Sequence, residues 1–383
     1  MSRRFALVVV HELLPVQLGK DPGLIPLGLR DRGWEVELHA PSGSGEGWPF
    51  PVHVAPLSEM ASPGYWAPRG IDGAVVYSFF RHGPIIRALA AGGARVIGKG
   101  DTDGFLAPRL HAWPTLEIAL HHRAGPTGKA LQLANWLGRV GPLHRRELDE
   151  IRDAVGSSHA FVVESEPARR RVAGLLRRYG PAQLAERLRV VPIPIAPVFT
   201  RGDVAREREP LVVAAGRWDD PQKNGPLMAR ALRRFLDAHP GWRAHVVGAR
   251  AQRLFGGERV DVTAQMPREE LAALFGRARI VASSSRFEAA ALAVHEGLAC
   301  GCTIATTPLA PFEHVVAQGP FGTLAAERRP LSRPGAAAAL AGALEREAAA
   351  WDAGERDPVA VAAFWRAAMD VDAVAVRFEE LLA

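Results

Sequence analysis

The sequence predicts an α/β protein of two Rossmann-like, doubly wound domains facing each other across a cleft. Short β-branched runs alternate with amphipathic stretches in both halves, which is the signature of parallel sheets flanked by helices. A proline-flanked, charged join separates the halves. The length of 383 residues suits two domains of roughly 150–200 residues, each large enough to bury a core.

Residues 5–10 form a β-branched run with the character of a buried parallel strand. Residues 23–31 have helical spacing and stop at Arg32-Gly33, and residues 34–39 alternate into a second strand. Further strands are expected at 73–78, 95–98 and 160–163, with helices at 85–91 and 147–155. The second half repeats the pattern, with strands at 211–215, 243–247, 278–283 and from 304, and helices at 226–239, 269–276, 294–299 and 335–350. Pro192, Pro194 and Pro197 precede the charged stretch 200–210, which reads as a hinge. Residues 359–383 carry Phe364, Val371, Val374, Phe378 and Leu382 at helical spacing and are expected to form one terminal helix, its return to the first domain left open. The resulting division is 1–199, hinge 200–210, 211–358 and the terminal helix. A ligand cleft belongs at the C-terminal ends of the strands.

Composition narrows the function classes. With 48% hydrophobic and 23% charged residues the chain is neither disordered nor collagenous. Residues 1–200 hold 24 Lys and Arg against 18 Asp and Glu, whereas residues 201–383 hold 23 of each, so the whole +6 lies in the first half. A basic half faces nucleic acid, an anionic membrane surface or an anionic substrate, or is simply a solvated Arg-rich surface. Cys300 and Cys302 are too few for a disulfide framework or a four-cysteine zinc site, which fits reduced thiols in a cytoplasmic protein. His11 and Glu12 interrupt the first apolar run, against a signal peptide, and no stretch reaches the roughly 18 apolar residues of a membrane span.

Several motifs fail on inspection. Gly128-Lys129 lacks the first glycine and the hydroxyl of a P-loop, with Arg123 and Ala130 in those positions. Gly43, Gly45 and Gly47 run into Trp48-Pro49, so they make a loop. Asp101-Thr102-Asp103 offers two carboxylates spaced to share a divalent cation, a weak three-residue match. Gly216-Arg217 follows a strand and Lys223-Asn224-Gly225 opens a helix, so Arg217 and Lys223 are placed to clamp a pyrophosphate with the helix N-terminus. Alone, this turn is equally a surface loop with solvated charges. Glu288 and Glu296, seven residues between them, are expected in the loop after a strand and in the following helix. Carboxylates there suit paired hydrogen bonds from sugar or ribose hydroxyls.

The order and spacing of these elements carry a resemblance. Gly216-Arg217 with Lys223, a strand ending at Gly248, the helix at 267–275, and Glu288-x₇-Glu296 followed by Gly301 resemble, over residues 211–316, the nucleotide-binding domain of family 4 retaining glycosyltransferases of the GT-B fold. Residues 161–166 and 190–199 look like that family's last N-domain strand and hinge. The resemblance implies an acceptor-side domain at 1–199 and a donor domain at 211–358. It implies that Arg217 and Lys223 bind the donor diphosphate, Glu288 sits by the donor sugar, and Glu296 bonds the ribose. Backbone N–H groups of Ala290, Ala291 and Leu292 would face sugar or phosphate, and Gly216 would shape the turn. Gly19 stands in for the family's glycine-rich loop, and Asp101 or Asp103 for its N-domain histidine. The implied donor is a nucleotide-diphosphate sugar, a UDP-sugar before a GDP- or ADP-sugar, with no obligatory metal. The implied acceptor is a glycan, a lipid-linked sugar or a small aglycone, with peripheral contact to an anionic membrane as a further partner and no nucleic acid.

The chain departs from the family at Ala289 and Ala291, where glycines are usual, and at Thr303, where a proline is usual. Any of these positions needing positive φ would be strained. His82 and the His121-His122 pair are weaker acceptor-side bases, and Trp48, Trp66 and Trp113 are candidates for a sugar-stacking rim. Two rivals remain: a metal-dependent nucleotide-sugar transferase or hydrolase using Asp101 and Asp103, and a non-catalytic basic binding protein.

Overall fold

Apolar β-branched strands organise each half of the chain into its own sheet. The computed structural model describes residues 3–121, 125–326 and 335–383. One unit comprises Met1–Thr115, Leu137–Ala196 and Ala368–Ala383, and the other comprises Leu116–Trp136 and Pro197–Ala367.

The first unit is built on β1 (Arg4–Val9), β2 (Glu35–Ala40), β3 (Val52–Val54), β4 (Gly73–Tyr77), β5 (Arg95–Lys99), β6 (Ala160–Val163) and β7 (Leu188–Val190). Their order is β3-β2-β1-β4-β5-β6-β7, and every neighbouring pair is parallel. Parallel strands need crossover helices, which cover both faces and explain why Phe5–Val9 is wholly buried. The order reverses between β1 and β4, so the ligand-binding switch point lies at their C-terminal ends.

The second unit uses β8 (Glu209–Ala215), β9 (Arg243–Val247), β10 (Val260–Thr263), β11 (Ala278–Ser283), β12 (Thr303–Thr306) and β13 (Gly322–Leu324). They form a parallel sheet in the order β10-β9-β8-β11-β12-β13, with its switch point between β8 and β11. The helix Gly225–Ala238 lays Leu227, Met228, Ala231, Leu232 and Phe235 on this sheet at 3–4-residue spacing.

The join and the C-terminus differ from the sequence expectation. The unit boundary falls between Ala196 and Pro197, and the stretch predicted as a hinge is fastened to the second unit by Arg208. That buried guanidinium donates to the carbonyls of Phe275 (3.0 Å), Ala278 (3.2 Å) and Cys300 (2.6 Å). The terminal stretch is two helices, Pro358–Met369 and Val371–Leu382, because the Asp370 carboxylate accepts the Asp372 N–H (3.0 Å) and caps a new start. The last helix packs Val374, Ala375, Phe378 and Leu382 among Leu7, Ile25, Leu29 and Trp34 of the first unit.

Trp48 and Trp66 are also core residues rather than rim residues; only Trp113 of the three is well exposed, at 68%. Cys300 and Cys302 are buried thiols, and burial pushes Cys300 up to about 12, so neither is a nucleophile.

One close approach shapes the second unit's switch point. Gly248, at φ +140°, passes so near the turn after β8 that a Cβ would sit 1.7 Å from the Gly216 carbonyl oxygen. Gly248→Ala is expected to destabilise the second unit by at least about 2 kcal/mol, through that clash and the forbidden φ together, as read from urea denaturation.

Candidate functional site

The C-terminal ends of β8 and β11 open onto a pocket lined by Ala215, Trp218, Lys223, Ser283, Ser285 and Glu288, among others. The turn from β8 begins with Gly216, whose N–H donates to Val247 (3.0 Å), and Trp218 donates its indole N–H to the same carbonyl (2.9 Å). Lys223 projects from the end of this turn and forms an ion pair with Glu288 Oε1. Ser285 donates its hydroxyl to that same oxygen at 2.6 Å. The Lys223–Glu288 pair is largely buried, so each charge keeps the other from being stranded in a low dielectric.

The two loops that carry this pair are stitched together. Arg286 donates its backbone N–H to the Gln222 carbonyl (2.8 Å), and Gln222 Nε2 donates to the Phe287 carbonyl (2.9 Å). Ser284 Oγ donates to the Lys223 carbonyl (2.7 Å). Asn224, at φ +52°, turns the chain into the helix Gly225–Ala238 and accepts a bond from Arg286 (3.4 Å). Arg286 also pairs with Glu117 (3.5 Å), from the 116–136 segment that packs with this unit. Arg217 stands differently: its side chain is 71% exposed and pairs with Asp220 (2.9 Å), and it does not line the pocket.

Glu288 lies in the loop after β11, and Glu296 in the second turn of the helix Leu292–Ala299; both are buried. Between them Ala291 takes φ +48° at the start of that helix, so the left-handed conformation that glycine would favour is imposed on an alanine. The opening amides of this helix have no partner within it. His295, one turn in, is buried, and desolvation pushes its imidazole down to about 4, so it is neutral at pH 7 and adds no cation beside a phosphate.

The first unit has its own charged cluster at its switch point. Lys99, at the end of β5 and fully buried, pairs with Asp21 (2.5 Å) and Glu164 (2.7 Å). Asp21 opens the helix Asp21–Asp31, and Glu164 follows β6. Asp101 lies beside Lys99, Glu164 and Tyr77. Desolvation and the neighbouring carboxylates hold both Asp101 and Glu164 above the usual carboxylate range, against the opposing pull of Lys99. Asp103 is drawn elsewhere: its Oδ1 accepts the Phe105 N–H (3.1 Å), and burial raises it to about 6. Among the described residues Asp101 and Asp103 join no group of three convergent ligand atoms.

Residues 209–346 match the family model described as glycosyl transferases group 1. That match lies wholly within the second unit. A phosphatidyl-myo-inositol mannosyltransferase of Propionibacterium freudenreichii subsp. shermanii is 25% identical over 296 residues, covering 75% of this chain and 72% of the relative. Among solved structures, a glycosyltransferase from Rickettsia africae superposes with a TM-score of 0.69 at 11% identity, over 99% of each chain. The Anabaena protein HepE in complex with UDP-glucose gives 0.62 at 14%, covering 98% of this chain and 99% of that one. Sucrose-phosphate synthase from Thermosynechococcus elongatus gives 0.60 at 17%, covering 99% and 98%. These likenesses establish the GT-B fold of two doubly wound units.

Of the residues singled out from sequence, the second unit brings Lys223, Glu288, Ala291 and the turn at Gly216 to one pocket rim. Gly19 ends a short turn, Pro15–Gly19, but the glycine which that turn demands is Gly23, where a Cβ would lie 2.0 Å from the Leu18 carbonyl oxygen. His82 serves the backbone at φ +62° before the helix Gly83–Ala91. His121 closes the helix Ala112–His121, and His122 lies outside the described residues. Sequence reasoning missed Ser285, Gln222, Arg286 and Lys99. Ser285 was within reach, since a hydroxyl three residues before a buried carboxylate is a ready hydrogen-bond donor. Lys99 carried no signal, because the carboxylates it pairs with, Asp21 and Glu164, come from two distant segments.

Ala291→Gly is expected to stabilise the domain by about 1 kcal/mol, since glycine tolerates φ +48° without Cβ strain. Thermal denaturation of the two chains side by side checks it.

Proposed function

We propose that the chain is a retaining glycosyltransferase of family 4 that moves a sugar from a nucleotide-diphosphate donor to an acceptor held by the first unit. The observation that carries the reading is the Lys223–Glu288–Ser285 constellation at the β8/β11 switch point. A donor diphosphate entering there takes Lys223 from Glu288. Ser285 keeps its hydrogen bond to the carboxylate, so Glu288 stays placed for a hydroxyl of the donor sugar. Arg217 leaves its exposed pair with Asp220 to clamp the diphosphate bidentately. Glu296 receives the ribose hydroxyls, and the amides of Ala290, Ala291 and Leu292, with the turn at Gly216, cradle the phosphate.

Charge then builds on the leaving diphosphate during transfer, and Arg217, Lys223 and the helix N-terminus are preorganised to stabilise it. The acceptor attacks the face the diphosphate leaves, which takes the acceptor's proton. No enzymic nucleophile and no metal is needed in this scheme. Asp101 contacts a hydroxyl of the donor sugar or acceptor, and Gly19 borders the same edge. A UDP-sugar is the first donor to try, because the similar HepE was crystallised with UDP-glucose.

The similar mannosyltransferase is named for a phospholipid acceptor, which favours an acceptor presented at a membrane. The chain supports this with residues 118–146, which hold five Lys and Arg and no Asp or Glu. The helix Pro126–Val140 within that stretch buries none of its described residues and exposes Leu131 and Leu137 at 55% and 54%. No helix among the described residues is long and apolar enough to cross a membrane, so the contact would be peripheral.

Thermal-shift titration with UDP-, GDP- and ADP-sugars, followed by turnover with the donor that stabilises, tests the reading. Lys223→Ala and Arg217→Ala are each expected to lower kcat by about 10²–10³, and Glu296→Ala to weaken donor binding. An unresponsive wild-type protein would sink the proposal, and NMR of the product anomer reads retention. Co-sedimentation with phosphatidylglycerol vesicles is expected for the wild type and should fall when Leu131 and Leu137 are both changed to Ser.

A further inference from the structure

The edge of the first unit's sheet holds a side-chain cluster that the donor chemistry does not use. Strands β2 and β3 pair in parallel with His39 directly opposite His53. Glu37 lies two residues before His39 and so points to the same face of the sheet. The imidazoles of His39 and His53 stack with centroids 4.9 Å apart and planes within 20°. Their Nε2 atoms converge on one carboxylate: His39 Nε2 lies 2.9 Å from Glu37 Oε1, and His53 Nε2 lies 3.6 Å from Glu37 Oε2. All three ligand atoms fall within 4.8 Å of one another, and no other such group occurs among the described residues.

We propose that Glu37, His39 and His53 form a zinc-binding site that clamps the edge strand β3 onto β2. Two imidazole nitrogens and one carboxylate oxygen are a ligand set zinc favours over magnesium or calcium. Zinc bonds of 2.0–2.2 Å in a tetrahedron set ligand atoms about 3.4 Å apart; the histidine nitrogens lie 2.9 and 3.6 Å from the two oxygens of the one carboxylate, and all three ligand atoms lie within 4.8 Å of one another. Small rotations of the partly exposed His53 and of the Glu37 carboxylate close the site, with a water as fourth ligand.

The surroundings supply the outer support such a site needs. His39 is fully buried, and its Nδ1 sits 2.9 Å from the Tyr65 hydroxyl, which holds the ring with Nε2 toward Glu37. Arg4 lies 3.5 Å from Glu37 Oε2, and Arg69, stacked 3.8 Å over the Tyr65 ring, is a second cation on the His39 side. Arg4 also reaches the Arg69 carbonyl and Glu35, so it keeps partners when a metal takes Glu37. The benefit is local. β3 is three residues long, and the eleven residues between the strands include Trp48 and Phe50, which complete the core on the other face. A metal joining β2 to β3 holds that excursion closed.

The test uses the full chain without an affinity tag, stripped with chelator and titrated with zinc chloride by calorimetry at pH 7. One equivalent is expected to bind and to raise the melting temperature. Cobalt in its place should give the visible bands of a tetrahedral site. His53→Ala, which alters a side chain 38% exposed, should fold without metal yet bind zinc more than about tenfold more weakly. Glu37→Gln keeps the side-chain volume and should weaken zinc by a similar factor. Absence of saturable uptake at one equivalent, or wild-type affinity in both variants, would overturn the proposal.

Discussion

The second unit depends on a single buried ion pair at its switch point. Lys223 and Glu288 come from loops that leave different strands, β8 and β11, and their side chains meet inside the pocket wall. A charge stranded there would cost several kcal/mol, so neither loop can relax away without exposing the other's charge. The backbone stitches through Gln222, Ser284 and Arg286 give the pair its fixed frame. The same arrangement leaves the lysine exchangeable. Ser285 holds the carboxylate as well, so Glu288 keeps a hydrogen-bond partner besides the lysine.

The first unit applies a related device with a different balance of charge. Lys99 is enclosed by Asp21, Glu164 and Asp101, three carboxyls against one ammonium. Burial and crowding raise Glu164 above the usual carboxylate range, and the three carboxyls make this switch point acidic although residues 1–200 carry the net +6. The excess positive charge lies elsewhere, part of it in residues 118–146. Net charge over a half chain thus said little about the spot where a ligand would sit, because field at a site is set by the nearest few groups.

The alternation of strands and helices was legible because buried parallel strands must be apolar on both faces, and 160–163, 243–247 and 278–283 match their strands residue for residue. The edge strands β3, β7, β10 and β13 were not legible. They run three or four residues and are largely only half-buried, so they lack that apolar signature. The terminal stretch looked like one helix because its apolar spacing continues across Asp370; the cap that breaks it is one side chain's hydrogen bond. Ala291 shows a further gap between pattern and conformation. A left-handed residue was suspect there for want of glycine, yet Ala291 takes φ +48° at the start of the helix.

What the sequence by itself determined was the fold class, since residue period marks the strands; motif spacing over about 100 residues singled out Gly216, Arg217, Lys223, Glu288 and Glu296 as candidates. Only the tertiary structure decided which charges face each other. Lys223 meets Glu288 across 65 residues, Lys99 meets Glu164 across 65, and His39 meets His53 through the pairing of two strands. Such pairings come from the parallel order of the sheets, which brings strand ends together regardless of their distance along the chain. No local pattern encodes that order, so the chemistry at the strand ends becomes visible only when the sheets are built.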